Sequence, residues 1–304
     1  MTRFWMLVST FLLAVTASFA QTPGTPAPTP PPGQGQRPVS PITADNAQYD
    51  RLRSIELMTP KERDTQHPLL DPKRGIYRIP TREETEALAV SGSLTEKYRT
   101  FLRNPNTGIV KLNANSECVS DTQVVGAKEE CAAFTMPGGG IAFSFRTESY
   151  RMPRLADLIL HDGIFKTGGV LQQVLMAEIG DVAIENVNLQ TKGIKFLTGL
   201  KPVRDSNEFI RFDEEILNGI NADGFFYRRG HLVKANSTYL LRSIAYRGQY
   251  FQTVDGIQYD ELAFDKRRDV IVAFRVVEKD EAGNITIVWN RLRDVEAPRL
   301  RVVR

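Results

Sequence analysis

The chain has 304 residues, with 39 Lys and Arg against 36 Asp and Glu, and a net charge of +3. That length suits one large domain or two packed ones. Near-neutral charge without a polybasic arm argues against nucleic acid as a partner.

Residues 1–20, MTRFWMLVSTFLLAVTASFA, predict a secretory signal peptide. Arg3 precedes an apolar run from Phe4 to Val15, and small Ser18 and Ala20 stand three and one residues before a cleavage point at Gln21. The run is short for a span of about 20 residues, so the expectation is cleavage, with a retained anchor as the alternative. No later segment reaches transmembrane length. The mature chain is therefore expected to be extracytoplasmic, periplasmic or secreted, with no membrane span. Residues 21–44 predict a proline-rich linker. Eight prolines between Thr22 and Pro41 favour an extended spacer over a packed segment.

Residues 45–103 carry a helical pattern. Asp45 can cap a first helix with Leu52 and Ile55 on its apolar side. Thr81 with Glu84, and Ser93 with Glu96, have capping-box spacing. Leu94, Tyr98, Phe101 and Leu102 would share one helical face. Prolines in HPLLDP and YRIP force extended connections between these helices.

Residues 104–200 predict a β-rich module. Strands are expected in 108–113, 139–146, 163–166, 181–189 and 193–199, each rich in β-branched or aromatic residues. Residues 170–180 fit either period, and the bracketing glycines favour a strand. Recurrent Gly-Ile and Gly-Phe pairs hint at a repeat, though a turn glycine followed by a strand explains them more simply. This module also holds Cys118 and Cys131, the two cysteines of the chain. Outside the cytoplasm, an even count predicts a disulfide. Zinc wants about four ligands, and no His lies between residues 68 and 160. Closing this loop would add about 3 kcal/mol in the chain-entropy account.

Residues 201–304 predict a C-terminal α+β module. A helix near 205–219 has Asp205 and Glu208 as a capping pair and Phe209, Phe212, Ile216 and Ile220 on its apolar face. Strands follow, ending in a hairpin around KDEAGN. Val272, Phe274 and Val276 alternate on one arm, and Ile285, Ile287 and Trp289 on the other. The expected fold class is α+β and β-rich. It is mostly antiparallel sheet, sandwich-like or two packed sheets, with a helical N-terminal part and one further helix.

Catalytic motifs are scarce. His161 and Asp162 are adjacent, and neighbours on a strand point to opposite faces, so a structural turn or core histidine is expected. His231 has no nearby acidic partner in sequence. Gly138–Gly140 precede a strand-like run rather than a helix, with no GKS or GKT, so a flexible turn is expected rather than a phosphate loop. The chain has no GxSxG, SxxK or HExxH. Asp213, Glu214 and Glu215, and Asp260 with Glu261, read as solvated faces. Neither a metal nor a cofactor is predicted.

The strongest candidate is aromatic. Five of nine tyrosines fall between Tyr227 and Tyr259, interleaved with arginines. Tyr227, Arg242, Tyr246, Arg247 and Tyr250 would suit a polar ligand through ring stacking and forked hydrogen bonds. The competing reading is ordinary cross-strand packing, and leucines on both faces of TYLLRSIAYR suit a strand buried on two sides. The expected function is a non-catalytic binding or scaffold protein of the cell envelope, with an envelope polymer or protein as partner. The alternative is an extracytoplasmic hydrolase of glycan or peptide whose Asp, Glu and His residues converge only in the fold.

Overall fold

Long apolar runs with β-branched residues build the centre of the protein. The computed structural model describes residues 82–114, 137–254 and 257–301. The leader, the proline-rich linker, the helical pattern of residues 45–81, and Cys118 with Cys131 lie outside the described residues.

The first strands in chain order are β1 (Thr107–Leu112), β2 (Ala142–Ser144), β3 (Ser149–Tyr150), β4 (Leu158–His161), β5 (Ile164–Lys166) and β6 (Gln172–Gly180). Then come β7 (Ile220–Ala222), β8 (Phe225–Tyr227), β9 (Gly230–Leu232) and β10 (Thr238–Ala245). The last four are β11 (Phe251–Val254), β12 (Ile257–Asp260), β13 (Arg268–Lys279) and β14 (Ile285–Glu296). Two five-stranded sheets result, in the orders β1-β14-β13-β10-β6 and β3-β2-β4-β5-β9, beside two small hairpins. Every pairing between these strands is antiparallel. The protein is β-rich with few helices. The first sheet draws β1 and β6 from residues 104–200 and β10, β13 and β14 from residues 201–304.

Between the sheets lies the main core. The alternating residues of the last hairpin all enter it, as do Phe143, Phe145, Leu160, Phe165, Val174 and Tyr239. Phe274 stands directly opposite Trp289, and Val276 opposite Ile287. Rings stack through this layer, with Tyr239 and Phe274 5.1 Å apart at their centroids. Gly108 faces Trp289 across the β1–β14 pair, and a Cβ there would lie 2.5 Å from the indole. The absence of a side chain at 108 is what lets the indole lie flat.

The first sheet is buried on its other face too. Leu175, Ala177, Leu240, Ile271, Ala273 and Val288 are covered by Tyr98, Phe101, Ile184, Val187, Ile194, Leu197, Ile216 and Tyr227. All eight residues of β10 are consequently buried. Each fully buried Leu, Ile or Phe contributes about 1.5–3 kcal/mol relative to an exposed one, so burial on both faces adds heavily to the stability of this sheet.

The described helices are α1 (Arg82–Ala87), α2 (Gly92–Lys97), α3 (Arg99–Leu102), α4 (Ile194–Gly199) and α5 (Ser206–Asn218). The cap of α2 is Ser91, whose hydroxyl accepts from the Leu94 amide, rather than Ser93. Asp205 caps α5 by accepting from the amides of Asn207 and Glu208, while the Glu208 carboxylate accepts from the Arg204 amide.

Two expected strands are not strands. Residues 194–199 form α4, capped by Gly193, and residues 184–186 form a short 3-10 turn. In both, the apolar residues that reach the sheet are three apart, Ile184 with Val187 and Ile194 with Leu197. Helical turns bring that spacing onto one side, and β-branched content alone gave no sign of it. At the β4–β5 turn a glycine does precede a strand: Asp162 and Gly163 take positive φ in the two-residue turn, and Ile164 begins β5. Among the described residues no helix is long and apolar enough to cross a membrane.

Candidate functional site

Four of the five residues expected at a ligand face are buried. Tyr227, Arg242 and Tyr246 have no exposed surface, and Tyr250 is buried. The Tyr227 hydroxyl donates to the Gly193 carbonyl and its ring packs on Phe196. Burial, with the Asp223 charge, raises that phenol to about 12. The Tyr246 hydroxyl donates to Gln173 Oε1 at 2.8 Å and accepts from the Val203 amide, with its ring edge-on to Phe209. Arg242 grips Asp269 with two parallel bonds of 2.9 and 2.7 Å, and its third nitrogen donates to the Leu197 and Leu200 carbonyls. It thereby ties the C-terminal end of α4 to the sheet. Arg242 is buried because both faces of β10 are covered, so that residues pointing either way from that strand point inward. Arg247 alone of the five is exposed.

A second set of buried charges joins the two sheets. The Arg146 guanidinium donates to Asp157 Oδ1 at 2.8 Å, Asp265 Oδ2 at 2.6 Å, and the carbonyls of Leu155 and Lys266. Asp157 also accepts from Ser144, Gln172 and Ser243. Arg267 shares Asp265 Oδ2 at 2.7 Å and donates to the carbonyls of Val170, Leu171 and Tyr246. Burial works against the charge on Asp265, but Arg146 and Arg267 together hold its carboxyl below the usual range. Burial, only partly offset by Asp265, pulls Arg267 down to about 10. These groups face one another rather than a cavity. Their work is to fix the ends of β2, β6 and β10 and the turn before β13.

The histidines and carboxylates considered for catalysis are dispersed. His161 is the last residue of β4, with Nδ1 3.2 Å from Asp162. His231 is buried, with Nε2 2.8 Å from the Met176 carbonyl, and burial lowers its pKa. Asp213 is buried against Arg229, whereas Glu214 and Glu215 face solvent. Glu261 is buried against Arg154, and Asp260 caps the short turn that follows it. Among the described residues no group of three or more His, Cys, Asp or Glu could hold a metal ion.

One concave surface gathers four arginines, of which one is paired with a carboxylate. Arg204, Arg247, Pro298, Arg299, Leu300 and Arg301 line a groove of 690 Å³, and all four arginines are exposed. Its floor is a short extended segment docked between two others. The Ser206 amide donates to the Arg301 carbonyl and the Arg301 amide to Arg204, while the Arg247 amide donates to Pro298 and the Leu300 amide to Arg247. The ladder is parallel on both sides. Alternation then sorts the side chains: Leu300 enters a core with Phe209, Ile244 and Tyr246, and Arg299 and Arg301 point out together. Arg247 pairs with Glu296 at the surface. Among the described residues, the guanidinium groups of Arg204, Arg299 and Arg301 make no ion pair.

Sequence reasoning missed this groove except for Arg247. The readable signal was the alternation in PRLR, 298–301, and the net excess of fifteen Lys and Arg over ten Asp and Glu after Phe225. Its meeting with Arg204, about a hundred residues earlier, was not readable. No protein-family model, curated protein or solved structure matches the chain.

Proposed function

We propose that the chain is an extracytoplasmic, non-catalytic binding or scaffold protein of the cell envelope, and that the arginine groove takes its ligand. The four converging exposed arginines carry this reading. Arg204, Arg299 and Arg301 have no ion-pair partner among the described residues; bringing such like charges together costs energy, and a fold retains such a cluster most readily where an anion offsets it. Guanidinium is also the cation best matched to carboxylate and phosphate, through its planar fork. The leader and proline spacer in the sequence support export and display away from a surface. The buried salt-bridge networks support a stiff platform, because each charged group in them is held by several partners.

Retention of the purified mature chain on isolated cell-envelope material tests the proposal. The parent should be retained. A variant with Arg204, Arg299 and Arg301 all changed to Gln should be retained at least about tenfold less, with an unchanged thermal melt, since exposed charges contribute little to stability. Equal retention of both proteins would refute the groove as the ligand site.

A further inference from the structure

The shape and lining of the groove narrow the ligand. It is an open trough whose cations lie along it, with Arg299 and Arg301 on one side of an extended segment and Arg204 and Arg247 from its two neighbours. Residues two apart on a strand are separated by about 6.6 Å, so Arg299 and Arg301 present forks at intervals along a line rather than at a point. That suits acidic groups repeated along a chain better than a single small anion.

Among the described residues no aromatic side chain lines the trough. A protein partner would look for an apolar or aromatic centre, and here Leu300 is 9% exposed and turned into the core. Single-stranded nucleic acid would use rings on which its bases stack. The backbone of residues 298–301 is already bonded on both sides, so it offers no free edge for a peptide to add a strand. Among the described residues, recognition is left to the guanidinium groups.

Resting on the reading above, we propose that the groove binds a linear anionic glycopolymer by forked contacts to oxyanions repeated along it. Arg204, Arg299 and Arg301 would each take one acidic group. Arg247 would add a fourth when it leaves Glu296. The oxyanion could be a phosphodiester or a uronate carboxylate, since guanidinium accepts either geometry.

Titration calorimetry on the mature chain tests this with poly(glycerol phosphate), polygalacturonate, inorganic orthophosphate, a Glu-rich peptide and phosphatidylglycerol vesicles. Binding to either polymer, weakened by added salt and much tighter than to orthophosphate, is the expected result. The polymer that binds identifies the oxyanion. Arg299→Gln with Arg301→Gln should weaken it at least about tenfold, as should Arg204→Gln with Arg247→Gln, which leaves the docked tail untouched. Replacing Arg299 and Arg301 by Lys should cost less than replacing them by Gln, because charge remains while the fork is lost. Lys195→Gln, a surface cation outside the groove, should change nothing. Binding only to vesicles or only to the peptide would overturn the proposal, as would equal binding to orthophosphate and polymers. Failure of both polymers while envelope material is still retained through the three arginines would sink this inference alone. Loss of that retention as well would sink the functional reading beneath it.

Discussion

Changing Arg242 to Met isolates the structural role of a residue that the sequence presented as a ligand contact. The substitution removes a fully buried guanidinium but leaves a side chain of similar length against Leu197 and Leu200. Asp269, 1% exposed, then loses both bonds from Arg242 and, among the described residues, keeps Arg293 as its ion-pair partner, 3.9 Å away. Removing one member of a buried ion pair typically costs about 3–5 kcal/mol, because the remaining charge is uncompensated. The two carbonyls at the end of α4 lose their donor as well, which adds to the cost unless water reaches them. For a domain of this size each kcal/mol moves the melting temperature by about 2–4 °C, so Arg242→Met should melt roughly 10 °C below the parent. Arg242→Met combined with Asp269→Leu should recover most of that loss, since a well-packed apolar pair replaces a buried salt bridge at little net cost. Differential scanning calorimetry on the four proteins of this cycle measures the coupling directly. An Arg242→Met variant melting within about 2 °C of the parent would refute the reasoning. Retention on envelope material should be equal for all four proteins when compared below their melting temperatures.

Acid should reveal the second network. Asp265 is held below its ordinary pKa in the folded protein, so the stability it contributes is present above its unfolded value, about 3.9, and is lost as pH falls through the folded one. Urea unfolding at a series of pH values should show Asp265→Asn less stable at neutrality, with a smaller further loss below about pH 4; parallel acid limbs would exclude Asp265 as a source. The glycines give a matched pair. Gly108→Ala would drive a Cβ into the Trp289 indole, itself 3% exposed, and should cost about 1–3 kcal/mol. Gly199→Ala meets nothing within 4 Å at the end of α4 and should stabilise by up to about 1 kcal/mol through the unfolded chain. Thermal melts of opposite sign are expected, and a neutral Gly108→Ala would contradict the close packing of β1 on β14.

Local periodicity carried much of the sheet architecture. The alternation of Val272, Phe274 and Val276 against Ile285, Ile287 and Trp289 specified the β13–β14 hairpin and the side that faces the core. Asp205 marked the start of α5, and the glycines bracketing residues 170–180 identified β6. Each of these signals lies within a few residues of what it specifies. The failures share the opposite property. Residues 193–199 are rich in strand formers, yet they coil because Ile194 and Leu197 must both reach a sheet that lies on one side of them. Arg242 and Tyr246 look like surface chemistry until α4 and α5 cover the sheet, and Asp269, 27 residues from Arg242, supplies the countercharge. Arg204 joins Arg299 and Arg301 only because residues 298–301 dock beside residue 204. The sequence by itself determined which segments alternate, which helix is capped and where charge is in excess, because those properties are set by neighbours along the chain. Only the tertiary structure decided which arginines are neutralised inside and which stand together outside, because a charge is compensated by whatever lies nearest in space.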